Sequence, residues 1–278
     1  MKIYISADME GSTGVVATDQ VTAGSSRYSF GCRMQAADVT AAVRGALDGG
    51  ADSVILNDSH SSMVNLDISA FGKAVSLITG TPKLLGMTEG VSGCDGAFFT
   101  GYHAMAGTEK AVFDHTFDPY TIYSLSINGQ RMGETGVNAL FCGALKVPVA
   151  LVTGDEALCL EASSLLGPEL ETACVKEGLG RQAALCLTPE ASSEVIYKAA
   201  KAAAVKLAAG EVKLFTLKPP FNMEVSLMNT LQTDAASLVP GAMRIAARTI
   251  SFEAEEPLEL RRMLYSVMET AAMQLQNF

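Results

Sequence analysis

Short apolar runs recur along the first half of the chain, and each ends in a polar or glycine-rich turn. They are Ile3–Ala7, Ser53–Leu56, Ala74–Ile78, Gly96–Thr100 and Val147–Val152. Runs this short and continuous predict strands buried on both faces. Helix-compatible stretches separate some of them. Gly31–Gly49 is rich in alanine, carries apolar residues at helical spacing and stops at Gly49-Gly50. The alternation predicts an α/β fold with a mainly parallel central sheet flanked by helices. Thr121–Met132 breaks the rhythm. TIYSLSINGQRM sets Asn128-Gly129 between two β-prone arms, which predicts a β-hairpin inserted after the fourth core strand.

Beyond about residue 155 the texture changes. Ala157–Leu166 and Ser192–Ala209 read as helices. Lys213–Leu217, Asn222–Leu227 and Arg244–Phe252 read as strands, and Leu258–Gln276 as a closing helix. Pro219-Pro220 and Pro240-Gly241 punctuate this part. The expected organisation is an α/β metal-binding domain over residues 1–156 and a C-terminal α+β portion over 157–278, either a second lobe or a continuation of the first. The acidic cluster Glu253, Glu255, Glu256 and Glu259 reads as a solvated face near a helix start.

Composition narrows the function. Of 278 residues 49% are apolar, and the mean hydropathy is +0.25, so the chain can bury a large core and global disorder is excluded. Twenty basic residues against thirty acidic ones give a formal charge of −10. Such a surface repels nucleic acid and anionic membranes. No apolar run approaches the roughly 18 residues of a membrane helix. The opening MKIYISADMEG enters a strand at residue 3, which leaves no room for a signal peptide and points to the cytoplasm. The six cysteines include no C-x-x-C pair, so they are expected to be reduced and mostly buried. GSTG at 11–14 follows the first strand but is not G-x-G-x-x-G. No Walker A pattern occurs, and Ser12 and Ser59 lack the G-x-S-x-G elbow. Nucleotide binding and serine nucleophile chemistry are disfavoured.

Polar groups gather instead at the predicted strand ends. Side chains alternate along a strand, so Asp8 and Glu10 fall on one side at the carboxyl end of the first. Two carboxylates in a dry site repel, and one takes up a proton unless a cation holds both ionised. The chain has only three histidines. His60 follows the second strand and His103 the fourth, at the edge where parallel sheets place their ligands. Taken singly, each reads equally as a cap, a loop acid or a bonded loop histidine. Together they form an N/O donor set suited to zinc and less selectively to manganese or cobalt. Glu134, in GQRMGETGVNA just past the hairpin, is either a further metal acid or an acid at a helix start. His115, in KAVFDHTFD, is a third ligand, a general acid or base, or a histidine bonded to Asp114 or Asp118. Asp155 closes another strand at the same rim. It reads as the N-cap of the helix from Ala157, and alternatively as a partner for a substrate ammonium.

Five ordered segments carry a wider likeness. KIYISADMEGSTG at the start, NDSHSSMVNL at 57–66, GYHAMAG at 101–107, the histidine at 115 and GETGVNA at 133–139 resemble, in order and spacing, the DppA-type D-aminopeptidases, a family of binuclear zinc metallopeptidases. The similarity extends through VPVALVTGDEA at 147–157 and the Pro240-Gly241 region. The resemblance implies that Asp8 bridges two zinc ions, that Glu10 and His60 complete one site and His103 and Glu134 the other, and that His115 is catalytic. It also implies a ring-shaped homo-oligomer, a pentamer or decamer, with active sites facing an internal channel. One departure stands out: where family members tend to be acidic, this chain has Ala36 and Ala37.

The resulting expectation is a zinc-dependent aminopeptidase with two Zn2+ per subunit, acting on short peptides and releasing their N-terminal residues, in the D configuration if the resemblance extends to the substrate. The rival readings are a metal-dependent amidohydrolase or phosphoesterase on a non-peptide substrate, and a non-catalytic metal-binding scaffold.

Overall fold

The computed structural model describes residues 1–277. Its strands are β1 (Lys2–Ala7), β2 (Ser53–Asp58), β3 (Val75–Ile78), β4 (Gly96–Thr100), β5 (Ile122–Ile127), β6 (Gln130–Arg131), β7 (Val149–Asp155), β8 (Glu171–Gly180), β9 (Ala183–Cys186), β10 (Phe221–Leu227), β11 (Met243–Ala246) and β12 (Thr249–Ala254). Its helices are α1 (Thr18–Val21), α2 (Tyr28–Asp48), α3 (Glu134–Ala144), α4 (Glu156–Leu166), α5 (Pro189–Ala208), α6 (Thr230–Ala236) and α7 (Pro257–Ala272).

A seven-stranded sheet runs in the order β3-β2-β1-β4-β7-β8-β9. It is parallel from β3 to β8, and β9 closes the edge antiparallel. Strand parity sorts its two faces. Ile3 and Ile5 of β1 pack with Val39 and Ala42 of α2 and Ile196 and Ala200 of α5. Tyr4 and Phe99 face the other way, toward Ala139 of α3 and Leu158 of α4. The alanine-rich texture of α2 and α5 follows from how closely they pack: a Cβ on Gly45 would lie 2.4 Å from the Tyr197 carbonyl oxygen. Small side chains at this crossing let two helices cover one sheet face.

A second, antiparallel sheet runs β11-β12-β10-β5-β6. The predicted hairpin is its edge. Asn128 and Gly129 take φ of +52° and +77°, the pair of left-handed residues a two-residue turn of this hand requires. Both sheets take strands from before and after residue 156. Helix α3 lies between them. Its Val137, Leu140 and Phe141 join the core of the second sheet beside Leu260 and Leu264 of α7, while Ala139 and Cys142 join the first. Every residue from Glu134 to Gly143 is buried.

Two sequence expectations are corrected here, and one strand pair is added. Lys213–Leu217 is not a strand; Phe215 and Leu217 pack on the second core, and the Phe215 carbonyl covers Gly143, so the apolar alternation reflects packing without ladder pairing. Arg244–Phe252 is not one strand but the hairpin β11–β12. The β8–β9 pair falls in a stretch with no predicted strand. Lys176 at an inward position of β8 breaks its apolar pattern. Among the described residues, no helix is long and apolar enough to cross a membrane.

Candidate metal centre

The carboxyl edge of the first sheet is built by ladders that continue past the strands. Asp8 N donates to the Thr100 carbonyl at 2.8 Å and Gly11 N to that of Gly101 at 2.8 Å, while Ser59 N reaches the Ala7 carbonyl at 2.8 Å. The loops after β1, β2 and β4 are thereby zipped side by side. Their approach is backbone to backbone: a Cβ on Gly11 would fall 1.8 Å from the Tyr102 carbonyl oxygen. Glycine is required there for lack of space. At Gly101, φ of +67° adds a conformational reason.

Those loops bring Asp8, Glu10, His60 and His103 together, and two more elements complete the cluster. Glu134 is the first residue of α3, where the helix dipole favours a carboxylate, and its Oε1 accepts from Phe117 N at 2.7 Å. His115 stacks on His103 with ring centroids 3.8 Å apart. All six side chains are buried. His60 Nδ1 lies 2.9 Å from Glu10 Oε2 and 3.3 Å from Asp8 Oδ1. His103 Nε2 lies 3.1 Å from Glu134 Oε1 and 3.5 Å from Asp8 Oδ2. His115 Nε2 lies 3.8 Å from Glu134 Oε1. Asp8 stands between the two clusters, one oxygen toward each.

Ring orientation is fixed from behind. His60 Nε2–H donates to the Val21 carbonyl at 2.8 Å, His103 Nδ1–H to that of Ala104 at 3.1 Å, and His115 Nδ1–H to that of Phe113 at 2.7 Å. A carbonyl oxygen only accepts, so each outward nitrogen carries the hydrogen. The inward nitrogen of a neutral ring then presents a lone pair to carboxylate oxygens, an arrangement that repels unless a cation lies between them. Such backing is how metal-ligating histidines are held. Asp8 Oδ2 is buried without any hydrogen-bond partner among the described residues. Asp8, Glu10 and His103 offer ligand atoms within 4.8 Å of one another, as do His103, His115 and Glu134. The donor set fits divalent cations of the zinc type.

Without a metal, protons take the cation's place. Burial, then the Glu10 charge, pushes the Asp8 carboxyl up to about 7. Burial alone would lower His103, but Glu134 and Asp8 outweigh it and raise the ring to about 10. His60 is likewise raised against its burial by Glu10 and Asp8. Glu10 and Glu134 are held below the usual carboxylate range by the facing histidines, in spite of burial. His115 goes the other way: burial and the His103 charge lower it.

Lys176, Asp38 and Asp58 support the site without a legible sequence signal, and Asp155 supports it as the N-cap that the sequence marks. Lys176, fully inside β8, donates to the carbonyls of Glu10 at 2.6 Å, Ser12 at 2.9 Å and Val15 at 2.6 Å, clamping the loop after β1. Asp38 of α2 accepts from Thr13 N at 2.8 Å. Asp58 accepts from Asn65 N at 2.5 Å and Leu66 N at 2.8 Å, shaping the loop that carries His60. Asp155 caps α4, accepting from Leu158 N at 2.9 Å, and takes Val112 N at 2.6 Å on its other oxygen. Both oxygens are committed to the backbone, so the N-cap reading stands and the ammonium-partner alternative falls. A cavity of about 830 Å³ opens onto the cluster, lined by Asp8, Glu10, His60, His115 and Glu134 and also by Arg261 of α7.

The sequence model of the D-aminopeptidase family matches residues 1–266. The chain belongs to the D-aminopeptidase family. A D-aminopeptidase from Bacillus subtilis is 32% identical over 273 residues, covering 98% of each chain. The solved structure of the Zn-dependent D-aminopeptidase DppA from Bacillus subtilis, described as a self-compartmentalizing protease, superposes with a TM-score of 0.92 at 32% identity and 98% coverage of both chains. The α/β architecture expected from the sequence is therefore the fold of this D-aminopeptidase family member. Its departure at Ala36 and Ala37 leaves the cavity intact. Ala36 packs on the first core and Ala37 is exposed, and neither lines the cavity.

Proposed function

We propose that the protein is a zinc-dependent aminopeptidase that releases N-terminal D-amino acids from short peptides. The observation that carries this reading is Asp8, a buried carboxylate whose oxygens face His60 at 3.3 Å and His103 at 3.5 Å, with Glu10 and Glu134 on either flank. In this reading Asp8, Glu10, His60, His103 and Glu134 would hold two Zn2+ ions, Glu10 and His60 on one side of Asp8 and His103 and Glu134 on the other. Zinc, when bound, supplies Lewis acidity at a scissile carbonyl and a readily ionised water. The remaining chemistry belongs to the chain. Burial holds the His115 ring below its ordinary range, and its Nδ1–H is tied to the Phe113 carbonyl. Its Nε2 is free to accept a proton and return it to a leaving amine.

The names of the relatives support the D configuration and the zinc. The self-compartmentalizing character of the Bacillus subtilis protein supports a ring-shaped homo-oligomer, a pentamer or decamer, with sites turned to its interior. The six free thiols suit a cytoplasmic enzyme.

The test is elemental analysis of the purified protein, followed by D- and L-aminoacyl p-nitroanilides assayed against p-nitrophenyl phosphate. Two zinc ions per chain and a preference for the D-anilide are expected. A metal-loaded protein that turns over only the phosphate ester would overturn the reading.

A further inference from the structure

Arg261 is a buried cation that the mechanism above does not use. It lines the same cavity as the metal cluster and is 5% exposed. Its guanidinium carbon lies 5.2 Å from the Tyr265 ring centroid. On its other side is Gly86, at φ of +55°, where a Cβ would come within 2.1 Å of Nη2. The glycine therefore leaves the slot that the guanidinium fills. The slot is rigid, because the turn Gly86–Thr88 is pinned to the central sheet. The Gly86 carbonyl accepts from Asn57 Nδ2 at 3.0 Å and the Met87 carbonyl from the Tyr4 hydroxyl at 2.7 Å.

What this cation lacks is an acceptor. Nη1 is buried with no hydrogen-bond partner among the described residues. The two buried lysines are the contrast. Lys176 is saturated by three backbone carbonyls, and Lys83 donates to Asn57 Oδ1 at 2.6 Å and the Asp58 carbonyl at 2.6 Å. Glu89, the acid that acts on Arg261 from nearby, has Oε2 engaged by Leu85 N at 2.9 Å. Glu269 lines the cavity without pairing with it. A desolvated guanidinium held in a preformed slot, with no ion pair among the described residues and Nη1 unpaired, is poised for an anionic ligand, and its planar N–H fork matches a carboxylate.

We propose that Arg261 binds the C-terminal carboxylate of the peptide substrate and so makes the enzyme selective for short, free-acid peptides. The inference rests on the aminopeptidase reading, which places the amino end of the substrate at the metal cluster. The cavity, of about 830 Å³ and lined by both the cluster and Arg261, has room for a peptide of a few residues. Met87 and Met268, on the lining, offer adaptable apolar contact to the side chains between. A longer peptide, or one with an amidated end, brings no charge to the slot and leaves Arg261 unpaired in a dry wall.

The test compares D-leucyl-alanine with its C-terminal amide, following released D-leucine by chromatography, on the wild type, Arg261→Met and Arg261→Lys. The wild type should favour the free acid in kcat/KM by about 10- to 100-fold, the range given by a charge-assisted hydrogen bond. Arg261→Met should bring the ratio to about one, mainly through KM for the acid, and Arg261→Lys should keep part of it. Equal cleavage of acid and amide by the wild type would overturn the carboxylate role and leave the aminopeptidase reading standing. An Arg261→Met variant that loses both substrates in equal measure would show a structural role and also overturn it. Cleavage of neither peptide by metal-loaded wild type would sink the aminopeptidase reading itself.

Discussion

Asp8 is the residue on which the centre turns, because one of its oxygens lies 3.3 Å from His60 and the other 3.5 Å from His103. Asp8→Ala should empty both metal positions, read as zinc per chain by elemental analysis; full occupancy in the variant would contradict a shared ligand. His115 is separable by the same measurement. His115→Ala should abolish turnover and keep wild-type zinc content, whereas loss of zinc would make His115 a ligand, as its place 3.8 Å from Glu134 permits. Protonation gives a third handle. In the metal-free protein His103 is raised from 6.5 to about 10. A raised base stabilises the fold fully below its unfolded value, and that contribution is lost as pH rises through about 10. If His103 ligates zinc, the metal displaces the same proton, so its apparent affinity should climb with pH up to about 10. Calorimetric titrations in buffers of different ionisation enthalpy should show protons released on zinc binding at pH 7.5. A proton count of zero would refute this account of the metal-free site.

At the scale of elements, the site depends on where loops are tied. Asp155 belongs to two of them: it caps α4 and holds the Val112 amide three residues before His115. Asp155→Ala removes the cap, worth about 1 kcal/mol, and orphans a buried N–H, worth about 1–3 kcal/mol more. We expect a clear drop in unfolding midpoint together with reduced turnover at unchanged zinc content. Asp155→Asn keeps one acceptor but turns an NH2 toward the other N–H, so it should recover only part of the stability. Helix α3 shows why element order matters here. It must touch both sheets to be buried on every side, and this pins its first residue, Glu134, between them.

The whole molecule pairs a strongly acidic composition, −10 overall, with three buried carboxylates, Asp8, Glu10 and Glu134, in one cluster. Removing metal should therefore loosen the fold as a unit. A ligand present at 1,000 times its Kd adds about 4 kcal/mol to stability, so chelation should lower the unfolding midpoint by several degrees and added zinc should restore it. An unchanged midpoint in protein shown to be metal-free would argue against ligation at the cluster. Light scattering on the eluted protein should give a mass several times the 29.1 kDa of one chain, as a ring requires.

The local pattern of the chain was enough to place strands β1 to β4 and β7, helix α2 and the Asn128-Gly129 turn, because burial on both faces and left-handed turn residues leave marks within a few positions. It also put Asp8, Glu10, His60 and His103 at strand ends, since a parallel sheet collects its carboxyl edges at one rim. Tertiary structure alone decided that Glu134 and His115 come within a few ångströms of that rim, because they arrive on a helix and a loop whose positions depend on packing between two sheets. It alone revealed Lys176 as a buried clamp, where a lysine in sequence reads as a surface residue, and Arg261 as an unpaired guanidinium. Charge and polarity are written in the chain, but whether a charge finds a partner depends on what folds against it.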